Sequence, residues 1–184
     1  MSKYTLIVPI AADTDKMGTE MPYLFGLDSN GLMYCVKSIM GLPLEAFSDI
    51  YFTILHKHNL RYKLLEMMQI QFERLGIAHK THVYELWEST SSQPETLYHT
   101  VVGNHITGAV LFKDGDSYFT TEVYPENMLY IFPLDGLQVV NPQNKSYVTI
   151  DEQYYITNII EKKIVSRFFC AGGYSIEDLS LIHI

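Results

Sequence analysis

The stretch ITGAVLFKDGD, residues 106–116, contains the two features that decide the fold. Residues 106–112 carry no charge and are mostly apolar or small, a pattern that predicts a buried strand. The strand ends in Lys113-Asp114-Gly115-Asp116, whose residue types are typical of a turn. Because α/β sheets bind ligands beyond the carboxyl ends of their strands, the sequence predicts a functional turn at this position.

Upstream of this strand, predicted strands alternate with predicted helices. Apolar runs predict strands at residues 5–10, 49–55 and 83–87. The spacing of apolar residues, together with a proline in one first turn, predicts helices at residues 32–42, 60–75 and 95–102. This alternation is typical of an α/β domain with a mainly parallel sheet.

Downstream of the same turn, the pattern is that of short antiparallel strands. We expect strands at residues 117–123, 128–133, 146–150, 154–160 and 168–174. Residues 151–153 predict a hairpin turn, and the capping-box pattern at 175–178 predicts the start of a last helix. The sequence therefore predicts a single three-layer α/β domain over residues 1–184. Its mixed, mainly parallel sheet would be flanked by helices and would include a small antiparallel portion.

The charge balance excludes several classes of partner. Thirteen basic against 21 acidic residues give a net charge of −8, and no basic stripe could bind a nucleic-acid backbone or an anionic membrane surface. No apolar run is long enough for a membrane span, and the first residues lack the features of a signal peptide. We therefore expect a cytoplasmic protein that binds neither nucleic acid nor membrane. The sequence is silent on its oligomeric state.

The cysteines and histidines show no metal-binding pattern. Cys35 and Cys170 are far apart and lie among apolar residues, which predicts buried thiols in a reducing compartment. His56 and His58 follow the second predicted strand without a third ligand nearby, so we expect them at the surface.

Asp114 and Asp116 are candidate metal ligands. Two carboxylates one residue apart, on a turn with a flexible glycine, can hold Mg²⁺ or Mn²⁺. Such an ion would let an acidic protein accept a phosphorylated ligand. A solvated β-turn is the alternative, because Asp and Gly are common turn residues. A phosphatase of the haloacid dehalogenase type is excluded, since Tyr118 stands where that class has Thr or Val and the motif lies in mid-chain.

Two loops carry candidate ligand-binding residues. The loop after the first predicted strand lies where backbone amides bind phosphate, and Lys16 is its only cation. The polar loop at 90–96 opens a predicted helix, and Gln93 could bind the edge of a nucleobase. The alternatives are an ordinary surface loop and a simple helix cap.

The segment from 159 to 174 carries a third set. Glu161 could bind two sugar hydroxyls and Lys162 a phosphate. The pair Gly172-Gly173 would allow a ligand to approach the backbone closely. The alternative is an exposed strand edge followed by a bulged strand.

The order and spacing of these motifs resemble those of the sugar-phosphate nucleotidyltransferases, the NDP-sugar pyrophosphorylase family with a Rossmann-like (GT-A-like) α/β fold. Residues 6–12 resemble the first strand and the start of the signature loop. Residues 90–96 are similar to the loop that recognises the base, and residues 110–116 to the strand that delivers the metal-binding Asp. Glu161-Lys162 resembles the pair that contacts the sugar phosphate, and residues 171–174 resemble the strand that lines the sugar pocket.

The resemblance implies a reaction between a nucleoside triphosphate and a sugar phosphate, or another phosphorylated alcohol. The phosphate attacks the α-phosphorus of the triphosphate, pyrophosphate leaves, and an activated sugar nucleotide forms. It implies that Mg²⁺ or Mn²⁺ is held by Asp114 and Asp116, and that Lys16 and Asp116 are catalytic. The implied nucleotide-binding residues are Ala11, Ala12, Lys16 and Gln93, and those for the sugar phosphate are Glu161, Lys162, Gly172 and Gly173.

The chain departs from the family pattern at two signature positions. Lys16 stands where the family has an arginine, and Tyr23 where it has a lysine. The sequence also ends before the segment that supplies a second metal-binding Asp, so we expect either a truncated chain or a degenerate member. Two alternatives follow: a non-catalytic relative that binds a nucleotide or a sugar, and a glycosyltransferase of related fold that uses a metal-bound NDP-sugar.

Overall fold

The computed structural model describes residues 4–13, 21–135 and 144–181. Within these ranges, eight strands form one mixed sheet. They are β1 Tyr4–Pro9, β2 Asp49–Leu55, β3 Thr81–Leu86, β4 Ala109–Lys113, β5 Met128–Pro133, β6 Ser146–Ile150, β7 Ile156–Glu161 and β8 Phe168–Ile176. The α-helices are α1 Tyr34–Lys37, α2 His56–Tyr62, α3 Leu64–Arg74 and α4 Gln93–Gly103. Short 3-10 helices lie at Tyr23–Phe25, Leu44–Ala46, Ala78–Lys80 and Leu179–Leu181.

The sheet has a parallel half and an antiparallel half. Strands β3, β2, β1 and β4 lie side by side and all run in the same direction. β8 runs antiparallel to β4, β5 and β6, and β7 runs antiparallel to β6. The predicted fold class, a mixed α/β sheet flanked by helices, is confirmed, with four of the eight described strands in the antiparallel half.

Both faces of the parallel half are buried, which explains the continuous apolar runs of its strands. In β1, Leu6 and Val8 pack on one face in a large cluster with residues of α1 and α3. Ile7 packs on the other face with Val110 and with residues of α4. Burying one such side chain contributes about 1.5–3 kcal/mol. This two-sided core fixes the parallel strands, and with them the position of every loop at their carboxyl ends.

Two predicted helices differ from the structure. The helix predicted at 60–75 is broken at Lys63, which has a φ of 56° and separates α2 from α3. The helix predicted at 32–42 is helical only over α1, and turns with hydrogen bonds between residues three apart follow it. These turns contact residues 117–123, where Thr121 N donates to Gly41 O at 3.4 Å.

Two further expectations in the second half of the chain were wrong. Residues 117–123 do not join the sheet, and their backbone lies against Gly41 instead. The predicted last helix does not start at Ser175, which lies within β8 and is buried. Its hydroxyl pairs with Tyr4 Oη at 2.9 Å and donates to Tyr124 O at 2.9 Å, so it serves the core rather than a helix terminus.

The predictions for single side chains were partly correct. Cys35 and Cys170 are free and buried, as expected. His58 is buried against Phe25 rather than exposed, so the surface assignment was wrong for this residue. In the described ranges, no helix has the length and apolar character needed to cross a bilayer.

The left-handed backbone of Lys63 predicts a stabilising substitution. Lys63→Gly should raise the free energy of unfolding by about 0.5–1 kcal/mol, because glycine adopts a positive φ without the steric cost paid by other residues. Gln69→Gly, in the regular part of α3, is the control and should lower it by about 1 kcal/mol. Urea denaturation measures both, and a loss of stability in Lys63→Gly would show that the Lys63 side chain matters more than its backbone strain.

Candidate functional site

A cavity of about 480 Å³ opens at the carboxyl edge of the parallel strands. Its walls come from the chain after β1, from the loop between β3 and α4, and from the turn after β4. The lining residues are Pro9, Ala11, Ala12, Asp13, Leu24, Thr90, Ser91, Ser92, Gln93, Thr96, Asp114, Gly115 and Asp116. The position is the one predicted from the strand pattern, because the ends of neighbouring parallel strands meet at one edge.

Five of the predicted site residues lie together in this cavity. They are Ala11, Ala12, Gln93, Asp114 and Asp116. Lys16, predicted to be catalytic and to bind the nucleotide, lies outside the described residues. The roles given to these five residues and to Lys16 stay predictions, since the geometry shows where the five lie and not what they bind.

The acidic turn is built around Lys113, the last residue of β4. The side chain of Lys113 is fully buried, and its ammonium group donates to Asp114 O at 2.8 Å, Ser117 O at 2.5 Å and Ser117 Oγ at 2.7 Å. The same group lies 4.6 Å from the centre of the Phe119 ring. Burial lowers the pKa of Lys113 to about 8, and the charges of Asp114 and Asp116 oppose this shift. The hydrogen bonds of Lys113 therefore stabilise the turn, and Asp114 and Asp116 line the cavity.

The carboxyl group of Asp114 is partly withdrawn from water. Burial raises the pKa of its carboxyl group above the usual range, and the nearby charge of Asp116 raises it further. The hydrogen bond from Gln93 Nε2 to Asp114 Oδ1, 2.6 Å long, opposes the shift, as do the charges of Lys113 and Lys145. A buried carboxyl group whose ionisation is disfavoured by a neighbouring carboxylate is suited to binding a cation.

The residues of the turn fit a hard divalent cation. In the described ranges, no group of three or more His, Cys, Asp or Glu side chains could hold a metal on its own. Asp114 and Asp116 would therefore supply two oxygen ligands, and a phosphorylated ligand and water the others. Mg²⁺ is commonly bound in this way, through one or two carboxylates together with substrate phosphates. The carboxylate pair thus fits Mg²⁺ or Mn²⁺.

The first turn of α4 forms the opposite wall. Ser92 caps the helix by accepting a hydrogen bond from Glu95 N at 3.4 Å, and Glu95 Oε2 accepts bonds from Ser91 N and Ser91 Oγ. This reciprocal capping places Gln93, the first helical residue, over Asp114. A helix N-terminus also favours negative charge, which suits a phosphate in the cavity.

Gly172 lies directly against Asp114. Asp114 N donates to Gly172 O at 2.7 Å, and Gly172 has a φ of 83°. A Cβ atom at residue 172 would lie 2.5 Å from Asp114 Oδ2. Gly173 next to it is packed against Tyr130 and Phe119, so these two glycines support the acidic turn but do not line the cavity.

Glu161 and Lys162 lie apart from the cavity, at the end of β7. Both side chains are about two-thirds exposed and form an ion pair with each other at 3.0 Å. Glu161 pairs with Ser146 at the start of β6, and Lys162 N donates to Lys145 O at 2.9 Å. Their sugar-phosphate role stays a prediction.

Tyr23, which stands at the family's lysine position, packs face to face on Tyr34 with ring centres 4.4 Å apart. Its neighbour Leu24 lines the cavity, whereas Tyr23 is mostly exposed. The structure thus places an aromatic pair near the cavity in the segment where the resemblance implies a positive charge.

Sequence reasoning missed three residues around this site. Lys113 could have been noticed, because a lysine that ends an apolar strand beside two carboxylates needs partners. Asp13 lines the cavity and accepts a 2.6 Å hydrogen bond from Lys57, a contact across 44 residues that no local pattern reveals. Lys145 acts on Asp114 through the register of β6 against β8, which the sequence does not specify.

The contact between Gly172 and Asp114 predicts a site-specific defect. Gly172→Ala should weaken binding of Mn²⁺ or Mg²⁺ by about tenfold, because the added methyl group displaces the Asp114 carboxylate. Gly76→Ala is the matched control, since Gly76 has a similar φ of 72° but open space around it. Both variants should lose about 1–2 kcal/mol of stability from backbone strain. Metal titration calorimetry measures the difference, and equal affinities would mean that Gly172 does not position Asp114.

Comparison with known proteins supports the fold but not a closer relationship. No family model and no curated protein sequence matches the chain. Among solved structures, a nucleoside-diphosphate-sugar pyrophosphorylase from Vibrio cholerae is 18% identical and superposes with a TM-score of 0.72 over 95% of this chain and 74% of its own.

Two other solved structures lead to the same fold. An inositol-1-phosphate CTP transferase from T. maritima is 12% identical, with a TM-score of 0.68 over 96% of this chain and 71% of its own. A UDP-glucose pyrophosphorylase complexed with UDP-glucose is 13% identical, with a TM-score of 0.63 over 96% and 76%. The resemblance predicted from the motifs is therefore confirmed at the level of the fold: the chain has the fold of the sugar-phosphate nucleotidyltransferases.

Proposed function

We propose that the chain is a sugar-phosphate nucleotidyltransferase that binds a nucleoside triphosphate with Mg²⁺ in the cavity at the carboxyl ends of β1, β3 and β4. The observation that carries the proposal is the presence of both Asp114 and Asp116 on the wall of this cavity, together with the N-terminus of α4. That arrangement combines a cation site with a helix terminus that favours phosphate. The neighbours with this fold are transferases and pyrophosphorylases that handle nucleotides.

In this proposal the two halves of the sheet bind different substrates. Ala11, Ala12 and Lys16 would contact the triphosphate, and Gln93 the base. Glu161, Lys162, Gly172 and Gly173 would bind the sugar phosphate, or another phosphorylated alcohol. The register supports a common edge, because Asp114 N bonds Gly172 O and Tyr147 in β6 pairs with Phe169, three residues before Gly172.

The proposed reaction is a displacement at the α-phosphorus. A phosphate oxygen of the sugar phosphate forms a bond to the α-phosphorus, the bond from that phosphorus to the β-phosphate oxygen breaks, and pyrophosphate leaves with its electron pair. A divalent cation, when bound, neutralises charge on the phosphates. The chain itself would act mainly by positioning, with Asp116 orienting the cation and Lys16 the triphosphate.

A second candidate is a relative that binds the same ligands without catalysis. Tyr23 favours it, since this residue is uncharged and stacked on Tyr34 where the resemblance implies a lysine.

We also propose the cytoplasm as the compartment, because both cysteines are free thiols, as is usual in reducing compartments.

The carboxylate pair gives the first test. In the double variant Asp114→Asn, Asp116→Asn, we expect the loss of the Mg²⁺-dependent stabilisation by a nucleoside triphosphate, which reaches about 2.7 kcal/mol at a hundredfold excess over the dissociation constant. Asn keeps the shape of Asp, so the variant should still fold. Asp135→Asn, an exposed residue outside the cavity, is the control. Thermal melting with each triphosphate and NDP-sugar, with and without Mg²⁺, measures the effect.

The outcomes separate the candidates. Unchanged Mg²⁺-dependent binding in the double variant would contradict the metal role of these residues. Binding of a triphosphate to the unmodified protein, without pyrophosphate release for any sugar phosphate, would favour the non-catalytic relative. A melting shift with an NDP-sugar alone would favour a glycosyltransferase instead.

The sugar-phosphate role of Lys162 has its own test. Lys162→Ala should raise KM for the sugar phosphate by about tenfold or more, the effect of losing one charge-assisted hydrogen bond, with little change in KM for the triphosphate. Lys163→Ala, an adjacent exposed lysine, should change neither. Steady-state kinetics of pyrophosphate release measures both constants, and equal effects of the two variants would remove the specific role of Lys162.

A further inference from the structure

We propose that Trp87 is the stacking platform for the base of the bound nucleotide, an inference that rests on the proposed function. Trp87 is the one tryptophan of the chain and is 78% exposed, directly after the end of β3. Its ring packs in a tilted arrangement on that of His56, with the ring centres 3.9 Å apart and the planes at 31°. Most of the indole surface therefore stays open although the side chain is supported from one side.

The ring beneath Trp87 is held in place. His56 Nδ1 is paired with Glu85 Oε2 at 2.7 Å, and the same oxygen accepts a hydrogen bond from Asn59 Nδ2 at 3.2 Å. His56 and Asn59 lie in α2 and Glu85 lies in β3, so two elements fix the imidazole. A pre-organised aromatic surface loses little freedom on binding a flat ligand, which is a property of binding platforms rather than of a solvated surface residue.

The platform adjoins the cavity on two sides. Thr90, which lines the cavity, follows Trp87 by three residues, a span of at most about 10 Å. Lys57, next to His56, donates a 2.6 Å hydrogen bond to Asp13 on the cavity wall. The platform and the acidic turn thus lie along one edge of the sheet, with the chain after β1 between them.

This placement identifies the base as the part that stacks. The triphosphate and its cation need the carboxylates of Asp114 and Asp116, so the nucleoside must extend from them along the edge of the sheet. In the direction of β2 and β3, that edge leads to Trp87. In the opposite direction it leads to β6 and β7, where Glu161 and Lys162 lie. A planar π-system is the group that an exposed indole binds best, and every base offers one.

The single tryptophan makes the test direct, because all indole fluorescence comes from residue 87. We would titrate the full chain with Mg²⁺ and a nucleoside triphosphate, with Mg²⁺ and inorganic tripolyphosphate, and with a sugar phosphate. We expect the triphosphate to quench the fluorescence. Tripolyphosphate should bind by calorimetry without quenching, because it has no base.

Two variants and one control complete the experiment. Trp87→Ala should weaken binding of the nucleoside triphosphate by about tenfold or more, the usual cost of losing one base–aromatic stack, and leave tripolyphosphate affinity unchanged. Trp87→Phe should keep most of the affinity. Tyr154→Ala, at an equally exposed aromatic residue before β7, is the control and should change nothing. Since the Trp87 side chain is mostly outside the core, its variants should melt at the temperature of the unmodified protein.

The outcomes distinguish this inference from the proposed function. Equal affinity of Trp87→Ala and the unmodified protein for the nucleoside triphosphate would overturn the platform while leaving the proposed function intact. Quenching by the sugar phosphate, without quenching by a nucleoside triphosphate, would assign the platform to the other substrate and also overturn the inference. Failure of both the nucleoside triphosphate and tripolyphosphate to bind would contradict the proposed function, and the platform with it.

Discussion

The ammonium group of Lys113 is enclosed by protein atoms, and the shape of the acidic turn follows from the need to pair it. Removing a charged amine from water without hydrogen-bond partners raises the free energy of the folded state by several kcal/mol. Here its three protons meet the oxygens of Asp114 and Ser117, so the chain after β4 has to fold back over the lysine. With these backbone oxygens turned inward, the carboxylates of Asp114 and Asp116 line the cavity.

The same turn is where the two halves of the sheet meet. β4 is parallel to β1 on one side and antiparallel to β8 on the other, and the last hydrogen bond of this pairing joins Asp114 N to Gly172 O. A change of strand direction at this position brings loops from both halves to the same edge. The parallel half contributes the wall made by Ala11 and Gln93, and the antiparallel half contributes the support from Gly172.

Local patterns were sufficient to predict the parallel half of the fold and the position of the cavity. The strands were predictable because burial on both faces leaves continuous apolar runs, and Asp114 could be located because it follows such a run. The break at Lys63 was not predictable, since the apolar spacing of α2 and α3 continues through this residue although its φ is positive. The prediction of a helix start at Ser175 was wrong for a similar reason. The capping-box pattern is local, but the hydrogen-bond partners of Ser175, Tyr4 and Tyr124, are distant in sequence.

The site residues that could not be predicted from the sequence are those that depend on long-range contacts. Lys57 and Asp13, or Lys145 and Asp114, become neighbours only when strands β1, β2, β6 and β8 have taken their register. Trp87 has no motif around it, and its support by His56 depends on the parallel pairing of β2 with β3, in which Leu55 faces Leu86. His56 and Trp87 directly follow this pair, and their ring centres lie 3.9 Å apart. The platform is thus a consequence of the strand register together with the hydrogen bonds that hold His56.

A net charge of −8 does not prevent such a site from binding a polyanion, because the decisive charges are local. At physiological ionic strength, charges more than about 8 Å away through solvent are largely screened. Close to a ligand in the cavity, the described charges include the two carboxylates with the cation they would hold, Asp13 with its partner Lys57, Lys113 and the N-terminus of α4. In the proposed function a divalent ion converts this acidic turn from repelling phosphate to binding it, so the affinity for phosphate depends on the metal and only weakly on the overall charge.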